Sequence, residues 1–278
     1  MEISIKDPIV KKVLLSTDFS ENAQHAINYA LSLFGDQDVN YFLLNSYYLT
    51  HNTPEMLISL EDILHEQSVK GLKKNLIDIK NDHQSLAIET ISSYGEPAVA
   101  IKKVVKDRGI DLVVMGSRGR SALNETFFGS NTADLVRRIT QPILIVPLQY
   151  AVKPPRKIVF ATDLIRVDDL DDMEPMLLLA RKYKSEIIVM NVTGEHSDVR
   201  VSNALKRLDF NNHFKGINYR FEVVQNEDPL GGISEFIYNE LADMLVLSPK
   251  DYPSFKGMFH RSVTKKIIQR TEIPILVI

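Results

Sequence analysis

The feature that most constrains the fold of this chain is an internal repeat. Lys11–Ser20, KKVLLSTDFS, matches Arg156–Ile165, RKIVFATDLI, at an offset of 145 residues. Further along, Asp111–Ser117, DLVVMGS, matches Asp243–Pro249, DMLVLSP, at an offset of 132, and each copy closes on an apolar run, ILIV or ILVI. The second copy is therefore 13 residues shorter in its middle. A repeat of this length predicts two copies of one domain.

Each copy alternates short apolar runs with stretches of helical periodicity. In the first copy the predicted strands are VLLST, YFLLNS, AIETISSY, DLVVM and ILIV. Between them lie a helix capped by Ser20 and ended by Gly35, a long helical stretch from Ser59, and a helix from Pro97 to Arg108 closed by Gly109. The corresponding middle stretch of the second copy is only SDVRVSNALKRLDF.

This alternation sets the fold class. Apolar runs without alternation are typical of parallel strands covered on both faces, and strands that alternate with helices form βαβ units. The sequence predicts an α/β fold with two tandem doubly wound domains, each with a five-stranded parallel sheet, over residues 1–149 and 150–278. The proline-rich Tyr150–Lys157 is the predicted linker. We expect the two final strands to pack together as an intramolecular pseudo-dimer, with further homodimerisation left open.

Composition excludes several function classes. The 278 residues are 44% hydrophobic and 25% charged, with a net charge of −3 and basic residues spread along the chain, which favours neither nucleic acid nor a membrane surface as a partner. There is no cysteine, so disulfides, thiolate zinc sites and thiol catalysis are excluded, and the histidines show no ligand spacing. We predict no metal site. The N-terminal residues lack a secretory pattern, and we expect a cytoplasmic protein.

Three glycines surround the tract between the fourth strand and the next helix, in MGSRGRSALNETFFGSNT from Met115 to Thr132. Gly116 stands at a strand end, where ligands bind in doubly wound sheets, and we expect it to adopt positive φ and to leave room for a ligand. Gly129 precedes a helix whose first amides lack intrahelical partners and attract anions. Ser130 and Thr132 add hydroxyl donors, and Arg118 adds charge. The tract favours phosphate binding, although an isolated Gly-x-x-Gly is more often a simple turn.

The pattern Gly-x2-Gly-x9-Gly-Ser, in a chain whose first strand ends with Thr17-Asp18, resembles the ATP-binding signature of the universal stress protein family. The resemblance extends over both copies and includes Gly95-Glu-Pro97 and the ending QPILIVP. It implies an adenine nucleotide α-hydrolase-like, Rossmann-like domain that binds ATP, or ADP or AMP, with Mg²⁺ as a candidate bridging ion.

The resemblance also assigns binding residues. The base and ribose would be contacted by Ser16, Thr17 and Asp18, with Met115 and Gly116 bordering the ribose. Ser46 falls at an adenine-facing position where the family usually has a small apolar residue, so its role is left open. The residues implied to hold the phosphates are Arg118, Gly119, Gly129, Ser130, Asn131 and Thr132.

The second copy lacks this glycine pattern. At the offset of 132, Gly116 becomes Ser248, Gly119 becomes Asp251 and Gly129 becomes Arg261. An aspartate repels phosphate, and an arginine side chain fills the space that phosphate needs. We therefore predict that the second copy does not bind ATP in the same way, and that Arg261 or Lys250 pairs with Asp163. The alternative is that Asp163 merely caps the following segment.

Three functions remain after the sequence is considered. The first is a stress-response protein in which nucleotide occupancy acts as a sensor or switch, altering a surface that a protein partner contacts. The second is an interaction or chaperone-like module that does not use nucleotide. The third is a slow ATPase, and it ranks lowest because no histidine or carboxylate is placed by sequence to activate water at the phosphates.

Overall fold

The structure is a computed structural model, which describes residues 10–35, 38–49, 57–117, 130–162, 173–193, 214–248 and 271–278. The chain divides into two compact units, Met1–Leu148 and Gln149–Ile278. Among the described residues, no helix combines the length and the apolar character needed to cross a membrane.

The N-terminal unit is a parallel sheet with helices between successive strands. Its strands are β1 (Lys12–Ser16), β2 (Asn40–Tyr47), β3 (Ala87–Tyr94), β4 (Leu112–Gly116) and β5 (Ile143–Val146). They lie in the order β3-β2-β1-β4-β5, and all neighbours are parallel. Its helices are α1 (Glu21–Phe34), α2 (Leu57–Asp82), α3 (Pro97–Arg108) and α4 (Ser130–Arg138).

The helices follow from local sequence signals. Ser20 caps α1 by accepting a hydrogen bond from the Ala23 amide, and the Gly35 amide closes the helix on the Leu31 carbonyl. One face of α1 is apolar and buried, at Ala23, Ala26, Ile27, Ala30, Leu31 and Phe34. Helix α4 begins at Ser130, directly after Gly129 as expected, and ends at Arg138.

The C-terminal unit has the same strand order. Its strands are β6 (Lys157–Ala161), β7 (Glu186–Thr193), β8 (Asn218–Gln225), β9 (Met244–Leu247) and β10 (Ile275–Val277). They lie as β8-β7-β6-β9-β10, again parallel. The described helices are α5 (Glu174–Tyr183) and α6 (Pro229–Asn239), whereas SDVRVSNALKRLDF lies outside the described residues. The predicted α/β fold is confirmed.

One aspartate fixes the amino end of the first strand in each unit. Oδ2 of Asp111 accepts hydrogen bonds from the Lys11 and Lys12 amides at 2.9 and 2.8 Å. Oδ2 of Asp243 accepts the corresponding bonds from Arg156 and Lys157 at 2.9 and 3.0 Å. The same contact in both units belongs to the fold rather than to a ligand site.

In both units, the helix before the fourth strand is followed by a residue with positive φ, but the type of residue differs. Gly109 ends α3 with φ of 63°, and the Ile110 amide then donates to the Val105 carbonyl at 3.1 Å. The matching position after α6 is Leu241, which has φ of 53° and is 80% exposed. Leu241 therefore adopts an unfavourable left-handed conformation, and burial of its side chain does not offset the cost in free energy.

We expect Leu241→Gly to raise the free energy of unfolding of the C-terminal unit by about 0.5–1 kcal/mol. The left-handed conformation costs a residue with a Cβ about 1–2 kcal/mol, and the greater freedom of unfolded glycine offsets about half of that. Urea unfolding measures the change. The matched control is Gly109→Leu, which should lower stability by a similar amount; equal effects of the same sign would contradict the explanation.

The contacts of the Asp243 carboxylate predict how the free energy of unfolding changes at low pH. Its burial alone would raise the pKa of Asp243, but the Lys153 ammonium at 2.6 Å from Oδ1 and the two amides at Oδ2 outweigh it and lower the pKa. A carboxylate with a lowered folded pKa stabilises the fold above its unfolded value of about 3.9, and this contribution is lost as the pH falls through the folded pKa.

Asp243→Asn should therefore cost about 1–3 kcal/mol of unfolding free energy at pH 7, and the two proteins should converge toward pH 2. Urea titrations at several pH values test this. Glu235→Gln, an exposed change of the same kind on α6, should stay within about 0.5 kcal/mol of the parent. A constant difference at every pH would show that the charge of Asp243 is not involved.

Candidate functional site

The candidate site lies at the carboxyl ends of the N-terminal strands. Strand β1 has β2 on one side and β4 on the other, so the strand order reverses between β1 and β4, where ligands bind in open α/β sheets. The register pairs Leu15 with Val114 and Gly116 with Val146. Ser16 and Met115 each lie one residue beyond the first of these pairs, so the two meet at this edge.

The turn from β1 into α1 is fixed by hydrogen bonds of its own residues. Thr17 is buried, and its Oγ1 accepts from the Phe19 amide at 3.0 Å. Oδ1 of Asp18 accepts from the Ser20 amide at 3.1 Å, which leaves the partly exposed carboxylate next to the N-terminus of α1. The turn holds an acceptor group at the edge of the sheet.

Asn45 is a residue that the sequence analysis missed. Its side chain is buried, and Nδ2 donates to the Thr17 carbonyl at 2.8 Å. Asn191 makes the same 2.8 Å bond to the Thr162 carbonyl in the C-terminal unit. The signal was present, because an asparagine interrupts the apolar second strand in both copies. Ser46 follows Asn45 in β2, is partly exposed, and points to the opposite face of the sheet.

Gly116 requires a correction. The expected positive φ was wrong, because the described glycines with positive φ are Gly35, Gly95, Gly109 and Gly216. Glycine is favoured at 116 for a different reason: a Cβ there would lie 2.6 Å from Oδ1 and 3.0 Å from the backbone oxygen of Asn22, so Asn22 would have to shift.

The side chain of Asn22 connects α1 with the ends of β4 and β5. It is buried, its Nδ2 donates to the Val146 carbonyl at 3.2 Å, and Ser117 Oγ lies 3.5 Å from its Oδ1. The first turn of α1 is thereby joined to the ends of β4 and β5, at the base of the glycine-rich tract. A Cβ added to Gly116 would lie 2.6 Å from Asn22 Oδ1, so the side chain of Asn22 occupies the space that a larger residue at 116 would need.

Most of the other residues predicted to bind phosphate lie outside the described residues, entirely or with their side chains. Thr132, in the first turn of α4, is buried. Arg118, Gly119 and Gly129 lie outside the described residues, as do the side chains of Ser130 and Asn131. Over the described ranges there is no group of three or more histidine, aspartate or glutamate side chains arranged to hold a metal ion.

The carboxyl edge of the C-terminal unit keeps the backbone contacts of its counterpart. The Thr162 amide donates to the Met190 carbonyl at 3.0 Å, as the Thr17 amide does to Leu44 at 2.9 Å. Ser248 follows β9 where Gly116 ends β4. The residues of the predicted ion pair, Asp163 with Arg261 or Lys250, lie outside the described residues, so that hypothesis stays a prediction. Asp251, at the position of Gly119, lies outside them as well.

Comparisons with known proteins place this architecture among relatives. Residues 10–147 match the model of the universal stress protein family. The universal stress protein YxiE of Bacillus subtilis is 30% identical over 145 residues, which cover 49% of this chain and 97% of that protein. A universal stress protein of Methanocaldococcus jannaschii is 27% identical over 157 residues, covering 49% of this chain and 94% of its own length.

Similarity of fold extends further along the chain than these sequence matches. The crystal structure of a universal stress protein from Archaeoglobus fulgidus superposes with a TM-score of 0.74 at 19% identity, covering 96% of this chain and 98% of that one. At this identity the likeness concerns the fold.

The packing around Gly116 predicts the effect of filling its space. We expect Gly116→Ala to lower the free energy of unfolding by about 1–3 kcal/mol, because the added methyl group displaces the Asn22 carboxamide from the Val146 carbonyl. In an Asn22→Ala background the same change should cost less, because the obstructing Oδ1 is gone. Urea unfolding of the four proteins measures the coupling, and strictly additive losses would contradict it.

Proposed function

The chain belongs to the universal stress protein family, and from that premise we propose that its N-terminal unit binds ATP or another adenine nucleotide. The observation that carries the proposal is the meeting of Thr17, Asp18, Met115 and Gly116 at the strand-order reversal. The helix that follows this edge, α4, begins at Ser130, where the glycine-rich tract ends.

The chemistry of these groups suits a nucleoside. The Asp18 carboxylate is partly exposed and offers acceptor oxygens to ribose hydroxyls. The apolar and largely buried Met115 lies near the end of β4, across the strand-order reversal from β1. Buried Thr17 keeps its hydroxyl engaged with the Phe19 amide and so shapes the turn instead of meeting solvent. Ser16 and Ser46 lie at the same edge on neighbouring strands, where they are candidates for contacts with the base.

The phosphates would extend toward the glycine-rich tract and the N-terminus of α4. Unpaired amides at a helix N-terminus bind anions, and Arg118, Gly119, Gly129, Ser130, Asn131 and Thr132 would complete the phosphate contacts. Mg²⁺ would accompany the phosphates and take ligands from their oxygens.

The proposed role is that of a sensor or switch rather than a fast enzyme. Nucleotide occupancy would change the conformation of the tract after Gly116 and so alter a surface that a protein partner contacts. Two rivals are a nucleotide-independent interaction module and a slow ATPase. Mass spectrometry of small molecules released from freshly purified, denatured protein distinguishes the first rival, because that module would release no nucleotide.

The second rival is tested by phosphate release from ATP over hours at 25 °C. The proposal expects no phosphate release above that of a buffer control. Sustained multiple turnovers that disappear in the Asp18→Asn protein would favour the ATPase.

Nucleotide binding at this edge predicts a specific loss on neutralising Asp18. The change Asp18→Asn keeps an oxygen that accepts from the Ser20 amide but removes the charge that strengthens hydrogen bonds to ribose, so we expect the Kd for ATP to rise about tenfold. Calorimetric titration with ATP, ADP and AMP measures it. A similar rise for all three nucleotides would place Asp18 at the shared nucleoside.

The matched control is Asp38→Asn, which makes the same charge change in the same unit. Asp38 is exposed before β2, at the amino edge, and its φ of 61° is one that asparagine tolerates. Its affinity for ATP should equal that of the parent. Equal losses in the two variants would indicate a general charge effect, and no binding by the parent would overturn the proposal.

A further inference from the structure

Phe19 has a backbone conformation that needs an explanation. It directly follows Asp18 in the turn of the proposed site, and its φ is 62°. The left-handed region is unfavourable for any side chain with a Cβ, and for a bulky aromatic residue it is a true outlier. Such a conformation persists only where neighbouring groups enforce it.

Helix α2 provides the room that Phe19 requires. A Cβ on Gly71 would lie 2.5 Å from Cζ of the Phe19 ring, with Cε2 and Cε1 at 2.6 and 2.9 Å. The ring therefore occupies a niche that exists because residue 71 has no side chain. Glycine in the interior of a 26-residue helix lowers helix stability relative to alanine, so the niche accounts for a residue that helix propensity disfavours.

A second contact joins α2 to the same turn. Asn75 lies one helical turn after Gly71 and so on the same face of α2. Its Oδ1 is 3.5 Å from Thr17 Oγ1, and its Nδ2 donates to the side chain of Gln24 on α1. Helix α2 thus contacts both neighbours of Asp18: Asn75 lies against Thr17, and Gly71 lies against Phe19.

The second copy of the sequence differs from the first at the position of Phe19 and in its middle. Leu164 stands at the position of Phe19, and the middle of the second copy is 13 residues shorter. The same copy lacks the three glycines of the proposed phosphate tract. In sequence, the phenylalanine and the glycine tract therefore occur together in the first copy. The Asn45 contact to the first strand, by contrast, recurs in both units.

We infer that α2 regulates the ligand affinity of the proposed nucleotide site, by holding Phe19 in its niche and thereby fixing the Thr17–Asp18 turn. This inference rests on the proposed function. Gly71 and Phe19 are positioning residues, because they act through the turn. A change in the niche alters the affinity for nucleotide even when the unit remains folded.

The test compares the parent with Gly71→Ala, Phe19→Ala and the double variant, using ATP as the probe well below every unfolding midpoint. Gly71→Ala expels the ring and should weaken ATP binding about tenfold. Phe19→Ala should weaken it similarly, and the double variant should bind no more weakly than Phe19→Ala alone. Gln67→Ala, an exposed change one turn earlier on α2, should leave the Kd unchanged.

The unfolding midpoints of the same proteins provide an independent readout. Gly71→Ala should lower the midpoint in the parent, where the ring occupies the niche, and raise it in the Phe19→Ala background, where only helix propensity acts. Stabilisation in both backgrounds would overturn the inference, as would an unchanged Kd in a Gly71→Ala protein whose parent binds ATP. A parent that binds no adenine nucleotide would instead overturn the proposed function.

Discussion

A single buried carboxamide determines where the first strand of each unit ends. Asn45 donates to the Thr17 carbonyl and Asn191 to the Thr162 carbonyl, each at 2.8 Å. A buried amide without a partner costs about 1–3 kcal/mol, so the chain must present that carbonyl at that place. The turn after the strand is positioned as a consequence. In the N-terminal unit this turn carries Asp18, so the contact proposed between that carboxylate and the ribose depends on its location.

Comparison of the two units distinguishes contacts that stabilise the fold from contacts specific to the candidate site. Both units retain the second-strand asparagine and the aspartate that binds the first-strand amides, Asp111 or Asp243. Asn22, which closes on Gly116, has Val167 at its position in the second copy, and Gly116 has Ser248. The Asn22–Gly116 contact is therefore dispensable for a doubly wound sheet. Its presence only beside the glycine tract fits a role in supporting that tract.

The fold was predictable because each of its signals is local or repeated. Apolar runs gave the strands, Ser20 and Gly35 gave the ends of α1, and the offsets gave the division into two copies. For the candidate site, the sequence predicts only a set of residue types, and their roles stay a prediction. The sequence singled out Gly116, but the contact that disfavours a Cβ there involves Asn22, which is 94 positions away in the chain. The positive φ of Phe19 was not predictable, because Gly71 meets its ring, and Asn75 meets the neighbouring Thr17, only after α2 has packed on the sheet.

Coupling between a ligand and α2 must act in both directions. If the niche at Gly71 makes the site bind about tenfold more tightly, then bound nucleotide favours the packed position of the Phe19 ring by the same factor, about 1.4 kcal/mol. Such a bias alters populations substantially only where the packed and displaced arrangements are close in free energy, and the unfavourable φ of Phe19 lowers the gap between them. An aromatic residue in a left-handed turn is in this respect better suited to a switch than glycine. Glycine would adopt the turn without strain, and it has no ring that could pack against α2.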